Sequence, residues 1–244
     1  MREPLAVRTL GEGEPLLLVH GGVGPRSTWG AQEALAERRR LLIPSRRGFA
    51  GSPPAERQDF DVDADDLIEL LRSERPHAVA HSYGGVGLLV AAGRAPEHVR
   101  SLTLLEPPLF GVALDHPGVA ALAELSSAYL GGEAPEEEAA AFERMAGLGD
   151  TAADALGEEL DEARRLARGT RPPTKADPDL TAINVAGVPA LIVSGGHHPA
   201  LEAVCDALAG RLSAHRERLE GAGHAVHRAP GFNELLERFL DQHR

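Results

Sequence analysis

The residues of this chain that could do chemistry centre on one serine. A short apolar run, 78–80, precedes Ser82, and a stretch of small and apolar residues, 84–95, follows it. Ser82 is therefore predicted at a strand-to-helix corner, where the backbone is strained and the residues two before and two after must be small. Those residues are Ala80 and Gly84. The pattern predicts a nucleophilic hydroxyl, and the competing interpretation is an ordinary Ser-Tyr-Gly-Gly turn.

A serine hydroxyl is a poor nucleophile at neutral pH. It needs an imidazole base, and the imidazole needs a group that fixes its tautomer. The chain offers 11 histidines and 37 acidic residues for these two tasks. The choice among them depends on which residues the fold brings to the Ser82 corner.

The elements that must position Ser82 alternate along most of the chain. Short apolar runs predict buried strands, and apolar residues at helical spacing predict helices. The predicted strands are 5–10, 16–19, 41–43, 78–80, 99–105, 188–193 and 216–219. The predicted helices are 29–38, 59–72, 84–95, 201–212 and a last one over 232–240. Residues 107–186 interrupt this alternation with short amphipathic helices alone.

Three segments resemble the α/β-hydrolase family. The first is the small-x-Ser-x-small pattern around Ser82, and the second is the His-Gly-Gly sequence at 20–22, directly after a predicted strand. The third, at 44–52, is similar to the family's Asp-x-Arg-Gly-x-Gly-x-Ser loop, with Ser45 in place of the aspartate and Ala50 in place of a glycine. The resemblance covers the chain apart from the helical interruption.

The resemblance implies a fold and a division of the chain. The implied fold is α/β, with a mostly parallel, doubly wound sheet of about seven to eight strands and a helical lid insertion. The core is expected in residues 1–106 and 187–244, and the lid in residues 107–186.

The resemblance also implies roles for individual residues. Family chain order places the base near the C-terminus, which matches His224 in its Gly-Ala-Gly-His context rather than the nearby His227. The oxyanion is expected to be bound by the backbone N–H groups of Gly22 and Tyr83, with Val23 as the alternative to Gly22.

The acidic residue departs from the usual pattern. The family commonly carries an aspartate after the strand that corresponds to 188–193, but His198 occupies that position here. Some relatives, haloalkane dehalogenases among them, carry the acid after the strand that follows the elbow helix, and Glu106 lies there. The resemblance thus implies a Ser82-His224-Glu106 triad. Two alternatives stay open, namely a Ser82-His224 dyad supported by water or a backbone carbonyl, and an inactive site.

Two clusters of charge are interpreted as structural. Arg46 and Arg47 are expected to be solvated or to stabilise their loop rather than to meet an acidic substrate group. Asp59, Asp61 and Asp63 stand near the start of a predicted helix, where carboxylates suit the positive end of the helix dipole.

Composition limits the partners. The 25 Lys and Arg residues against 37 Asp and Glu residues give a formal charge of -12, which opposes binding to nucleic acid or anionic membranes. No segment approaches membrane-spanning length and the N-terminus lacks an apolar leader, so the expected location is the cytoplasm. The expected partner is a small-molecule substrate, and the chain is expected to be a monomer or a homodimer.

No cofactor or metal is predicted. Cys205 is the only cysteine, and the glycine-rich segments match neither a Walker nor a dinucleotide-binding pattern. His197 and His198 are adjacent, so they point in different directions, and no carboxylate or cysteine lies near them at ligand spacing.

These residues predict a serine hydrolase that cleaves a small ester, thioester or related acyl compound. Two alternatives remain. One is a non-hydrolytic ligand-binding scaffold on the same fold, and the other is a C–C bond hydrolase or lyase that uses the same residues.

Overall fold

One sheet of seven strands organises this protein, in a computed structural model that describes residues 2–148 and 150–243, with the side chains of 150–156 excepted. The strands are β1 Val7–Leu10, β2 Pro15–Val19, β3 Arg40–Pro44, β4 His77–His81, β5 Ser101–Leu105, β6 Ala190–Ser194 and β7 His215–Arg218. Their order is β1-β3-β2-β4-β5-β6-β7, with β1 antiparallel to β3 and all other neighbours parallel. The prediction of a mostly parallel sheet of this size is confirmed.

Helices connect the strands. The α-helices are α1 Pro25–Trp29, α2 Phe60–Glu74, α3 Tyr83–Arg94, α4 Pro117–Gly131, α5 Glu136–Met145, α6 Asp150–Ala167, α7 Leu180–Val185, α8 Pro199–Leu212 and α9 Phe232–Gln242. Short 3₁₀ helices cover Gly30–Glu37, Pro96–His98, Phe110–Val112, Pro173–Lys175 and Val226–Arg228. In the part of the chain that the structure describes, no helix combines the length and the apolar character needed to cross a bilayer.

The predicted helix at 29–38 is wrong in type. An α-helix starts earlier, at Pro25, and ends at Trp29, after which the chain continues as a 3₁₀ helix. The buried residues Trp29, Gln32 and Leu35 recur at every third position. That spacing matches the three residues per turn of a 3₁₀ helix, and it keeps all three side chains on one face.

Both faces of the sheet are covered. On β2, Leu17 and Val19 pack in the apolar cluster that includes α2, α3 and α8. Leu16 and Leu18 point the other way, into a cluster with Trp29 and α9. Successive side chains of a strand alternate between faces, so a run of apolar residues requires helices on both sides. This explains why the central strands read as solid apolar segments.

The chain between β5 and β6 is helical. Its described residues form α4 to α7 and two of the 3₁₀ helices, without a strand. Part of this segment packs in a separate apolar cluster, where Val119 and Leu122 of α4 meet Leu201 and Val204 of α8. The assignment of residues 107–186 as a lid stays a prediction, and this packing is what anchors α4 to the core.

Candidate active site

Ser82 occupies the corner between β4 and α3. It is the one residue between the last position of β4 and the first of α3. Its backbone has φ 51° and ψ −129°, a conformation that residues with a side chain rarely adopt. A Cβ at Gly84 would lie only 2.2 Å from the carbonyl oxygen of His20, so a side chain there would push α3 away from β2. The local sequence thus holds the Ser82 hydroxyl at the carboxyl edge of the sheet.

Neighbouring strand ends bring the next residues to the same edge. The Ser82 N–H donates to the carbonyl of Leu105, the last residue of β5, at 2.8 Å. The Glu106 N–H donates in turn to the carbonyl of Val193 in β6, at 3.1 Å. Because parallel strands end at one edge, Ser82, Glu106 and the loop after β6 follow one another along it.

Glu106 and His224 are in direct contact. The ring nitrogen Nδ1 of His224 lies 2.6 Å from Oε2 of Glu106, and the Gly195 N–H donates to Oε1 at 2.7 Å. Since a carboxylate accepts, Nδ1 of His224 carries the proton and Nε2 is left as the basic nitrogen. The structure therefore brings the predicted acid and the predicted base together across 118 positions of sequence.

Ser82 and His224 line the same cavity. Among the described residues, no hydrogen bond joins the Ser82 hydroxyl to the His224 ring. Catalytic hydrogen bonds are often loose without substrate, so the shared cavity is the relevant geometry.

Glu106 is an anion in spite of complete burial. It is 0% exposed. Burial alone would raise the pKa of its carboxyl, but the neighbouring imidazoles of His197 and His224 and the Gly195 N–H outweigh burial and hold that pKa well below its usual range. A buried anion beside an imidazole stabilises the protonated form of that imidazole.

His197 contacts Glu106 from the other side, which the sequence did not predict. Its Nδ1 lies 3.4 Å from Oε1 of Glu106, and its Nε2 lies 3.3 Å from the carbonyl oxygen of Met145 at the end of α5. Nε2 can donate to the Met145 carbonyl, and a positive charge on the ring would pair with the Glu106 carboxylate, so the surroundings favour the imidazolium form. The Glu106 carboxylate accordingly raises the pKa of His197. The missed signal was the position of His197 in the loop directly after β6.

Along the sequence, His197 and His198 are interpreted as having no carboxylate at ligand spacing. A carboxylate does lie near His197, and Glu106, His197 and His224 place one possible ligand atom each within 4.8 Å of one another. Both oxygens of Glu106 already accept hydrogen bonds, from Gly195 and His224. We interpret the group as a hydrogen-bonded carboxylate, and the expectation that no metal binds stays a prediction.

His198 stands where the family usually has an aspartate, and its side chain makes a structural hydrogen bond. Its Nδ1 accepts a hydrogen bond from the Ala200 N–H at 3.3 Å and so caps the start of α8. An N-terminal cap of this kind satisfies a helix N–H that would otherwise lack a partner.

The predicted oxyanion donors face the cavity. Gly22, Val23 and Tyr83 all line it. In the described part of the chain, none of their three backbone N–H groups is used in another hydrogen bond. The structure thus leaves Gly22 and Val23 both available, as the sequence did.

His81 is a further residue of the site that the sequence did not predict. Its Nε2 lies 2.8 Å from the carbonyl oxygen of His224, and the two rings lie 4.7 Å apart. A carbonyl only accepts, so Nε2 of His81 carries the proton. Burial, and then the neighbouring His224, lower the pKa of His81 to about 3, so its ring is neutral. The signal was its position directly before the serine.

The cavity is small and mostly apolar. Its volume is about 140 Å³, roughly that of four or five water molecules at about 30 Å³ each. The helical segment between β5 and β6 supplies much of the wall. Its contributions include Leu122, Leu130, Phe142, Met145, Leu148 and Ala163.

Curated relatives match part of the chain. It is 38% identical over 104 residues to 2-hydroxymuconate semialdehyde hydrolase of Pseudomonas sp. (strain CF600), which covers 39% of this chain and 37% of that protein. It is 29% identical over 125 residues to pimeloyl-[acyl-carrier protein] methyl ester esterase of Shewanella woodyi, which covers 49% of this chain and 47% of that protein. The chain thus matches less than half the length of each of these relatives.

Solved structures match nearly the whole of this chain. A thermophilic esterase from Thermogutta terrifontis superimposes with a TM-score of 0.70 and 18% identity, covering 98% of this chain and 94% of that chain. At this identity the likeness shows the fold alone. Residues 14–227 match the family described as alpha/beta hydrolase fold. This match spans most of the chain and agrees with the elbow and the sheet, and the chain therefore belongs to the α/β-hydrolase fold family.

Proposed function

We propose that this protein is a serine hydrolase that cleaves a small ester, thioester or related acyl compound through Ser82, His224 and Glu106. The observation that carries the proposal is the 2.6 Å contact between His224 and Glu106 beside the cavity that Ser82 lines. A base oriented by a buried anion, next to a strained serine, is the arrangement that acyl transfer requires.

The residues divide the reaction into two steps. Ser82 Oγ attacks the substrate carbonyl carbon, while Nε2 of His224 takes the hydroxyl proton and Glu106 stabilises the imidazolium. The N–H groups of Gly22 and Tyr83 bind the oxyanion. Collapse of this intermediate breaks the bond to the leaving alcohol or thiol, which receives the proton from His224. Water then gives a proton to His224 and attacks the acyl carbon. The bond from that carbon to Ser82 Oγ breaks, His224 returns the proton to Ser82, and the acid is released.

The cavity favours a compact and largely apolar acyl group. A volume of about 140 Å³ lies below the range of about 300–1,000 Å³ that drug-sized ligands occupy. The apolar residues of its wall offer few hydrogen-bond partners for a strongly polar acyl chain. Short aliphatic esters are therefore the preferred test substrates.

The experiment is a comparison of wild-type protein with Ser82→Ala on short p-nitrophenyl esters. We expect the variant to lose on the order of 10³-fold or more in turnover, because no other group can form the acyl intermediate. A fluorophosphonate probe should label the wild type at Ser82 and leave the variant unlabelled.

The matched control is Ser127→Ala. The Ser127 hydroxyl donates to the carbonyl of Ala123 within α4, so labelling and turnover should stay at wild-type levels. Equal turnover by Ser82→Ala and wild type would reject the assignment. A wild type that the probe does not label would favour the non-hydrolytic ligand-binding scaffold instead.

A second candidate is cleavage of a C–C bond next to a carbonyl by the same residues. One curated relative carries the name of a semialdehyde hydrolase rather than an ester hydrolase. Turnover of a substrate that carries a cleavable C–C bond next to a carbonyl, with esters left intact, would favour this reaction.

A further inference from the structure

Arg46 is a buried cation for which the mechanism above has no role. It is 1% exposed, although arginine side chains usually keep their charge in water. Its guanidinium donates to Asp63 at 2.6 Å through one terminal nitrogen, and to the Gly21 carbonyl and the Gln58 side chain through the other. Such burial is unfavourable unless charge and hydrogen bonds compensate, and Asp63 supplies the opposite charge.

The contact with Gly21 acts on the peptide that links Gly21 to Gly22. In a trans peptide the C=O and the N–H point in opposite directions in one plane. A donor held on the Gly21 oxygen therefore fixes the direction of the Gly22 N–H, which leads away from Arg46. Gly22 lines the cavity. A charged donor on the oxygen also polarises the amide and makes its N–H a stronger donor.

The backbone of Arg46 holds the same loop at a second point. Its N–H donates to Nε2 of His20 at 2.9 Å, so Nδ1 of His20 carries the proton and donates to the Val23 carbonyl at 2.7 Å. Burial, together with the Arg46 charge, lowers the pKa of His20 well below its usual value and keeps the ring neutral. The loop from His20 to Val23 is thus connected to Arg46 at both ends.

The guanidinium also lies near the side chain of Tyr83, the residue that carries the second predicted oxyanion donor on its backbone. Its central carbon is 5.5 Å from the ring centroid of Tyr83. We propose that Arg46 is a positioning residue that orients and polarises the Gly21–Gly22 peptide, so that the Gly22 N–H binds the oxyanion. This inference rests on the proposed hydrolase function, and it selects Gly22 over Val23 as the donor.

The test removes the guanidinium without leaving a charge unpaired. The variant is Arg46→Met with Asp63→Asn, because removing one partner alone would leave a buried ion. Turnover number and KM are measured on the best p-nitrophenyl ester, together with the affinity for an alkyl boronic acid, which forms a tetrahedral adduct with an active serine.

We expect kcat to fall on the order of 10-fold to 100-fold, less than the loss of about 10²-fold to 10³-fold seen when an oxyanion donor is removed entirely. KM should change little, because the oxyanion forms only after substrate binding. Boronic acid affinity should fall by a factor similar to that of kcat, and a ground-state ketone or carboxylate should bind as before. A general loss of structure would change all of these together.

The matched control is Arg47→Met with Asp66→Asn. Arg47 follows Arg46 in the same loop and forms an ion pair with Asp66 of α2 at 2.6 Å. Its other partner is the Glu3 carbonyl, away from the cavity. This control double variant should keep the wild-type kcat and the wild-type affinity for the boronic acid. If the Arg46 variant also keeps them, the inference is wrong. Equal losses in the two double variants would likewise overturn it.

Arg46→Lys decides the question if the double variant does not fold. A lysine keeps the charge beside Asp63 but offers a single nitrogen in place of the two that bind Asp63 and Gly21 separately. We expect kcat to fall while the variant melts near the wild-type temperature, and unchanged kcat would overturn the inference. Failure of Ser82→Ala to lose activity would instead refute the hydrolase function itself, so the two failures are distinct.

Discussion

An ionised carboxylate is stable in a protein interior only where several donors face it, and Glu106 meets this condition. The Gly195 N–H and His224 donate to its two oxygens, and His197 lies 3.4 Å from one of them. The backbone of Glu106 has φ 45°, in the left-handed region that residues with a side chain avoid. The carboxylate is thus held by its surroundings, and removing its charge should affect His224 directly.

Replacing Glu106 by glutamine tests this role. Glu106→Gln keeps the shape of the side chain, but its amide can donate to Nδ1 of His224 and so favour the wrong tautomer. We expect kcat on p-nitrophenyl esters to fall on the order of 10²-fold to 10⁴-fold, as when the acid of a serine protease triad is made an amide. Circular dichroism should show a folded chain.

The control for this variant is Glu202→Gln. Glu202 is also buried, and it accepts from the Gly196 N–H and from Ser194 beside the same loop, but it does not contact His224. Glu202→Gln should lower the melting temperature, while its kcat should stay near that of the wild type. Unchanged kcat in Glu106→Gln would transfer the role of the acid to another group or leave a Ser82-His224 dyad.

Helix α3 packs closely on the sheet because Gly84 has no side chain at the point of contact. It begins directly after Ser82 and packs on β2, β4 and α2 with side chains that are almost all buried. Gly84 is the point of closest approach, with the His20 carbonyl 2.2 Å from where a Cβ would be. His20 leads into the loop that carries Gly22, so the position of α3 and the geometry of the proposed oxyanion site are linked.

Gly84→Ala should therefore destabilise the protein. We expect the free energy of unfolding to fall by about 1–3 kcal/mol, the usual cost of overpacking, with a loss of esterase activity as the His20 loop is displaced. Urea denaturation and ester turnover are the measurements.

Gly210→Ala is the matched control in another helix. A Cβ at Gly210 of α8 would meet no atom within 4 Å. This variant should gain up to about 1 kcal/mol, because alanine loses less conformational freedom than glycine on folding. If both variants had the same stability, the close approach at Gly84 would not matter.

The whole molecule is a core and a helical segment joined at the site. Glu159 of α6 accepts hydrogen bonds from the N–H groups of Arg26 and Ser27 at the start of α1. The Tyr83 hydroxyl donates to the Arg171 carbonyl at 3.0 Å. His197 adds a third link, between Glu106 and the end of α5. Of these three links, the one through His197 is made by an imidazole, and its strength depends on the proton of that ring.

The stability of the wild type should therefore depend on pH through His197. The Glu106 carboxylate raises the pKa of His197, in opposition to burial, and Glu202 raises it further, while His224 and His198 are the other titratable neighbours. The folded state thus holds this proton more tightly than the unfolded state, whose value is about 6.5. The stabilisation is fully present below about pH 6.5 and is lost as the pH rises through the higher folded value.

Melting temperatures from pH 5.5 to 9 check this dependence. The difference between wild type and His197→Asn should be largest at the acidic end and shrink as the pH rises. His198→Asn is the control, since asparagine also caps a helix and His198 does not contact Glu106. A difference of constant size for His197→Asn would show that the contact does not depend on the proton.

Local sequence was sufficient for the features whose cause is local. The apolar runs of the central strands, the small residues around Ser82 and the Asp59 cap of α2, whose carboxylate accepts from the Asp61 N–H, follow from periodicity, steric size and hydrogen-bonding capacity within a few positions. The interpretation of Arg46 and Arg47 as loop-stabilising also agrees with their contacts. The 3₁₀ helix after Trp29 was missed because its three-residue spacing resembles that of an α-helix.

The contacts that His197 makes with Glu106 and with the end of α5 were decided by the tertiary structure, whereas the pairing of Glu106 with His224 was implied by the family resemblance. Each joins residues from different strand ends or from the helical segment, and which pairs meet depends on strand order and on register, neither of which a single sequence determines. His197 and His198 illustrate this: they are adjacent and identical in type, yet one faces a buried carboxylate and the other caps a helix. The sequence by itself determined where a nucleophile could stand. Packing of the sheet and its helices decided which charges surround it, because burial and electrostatic contact are properties of neighbours in space.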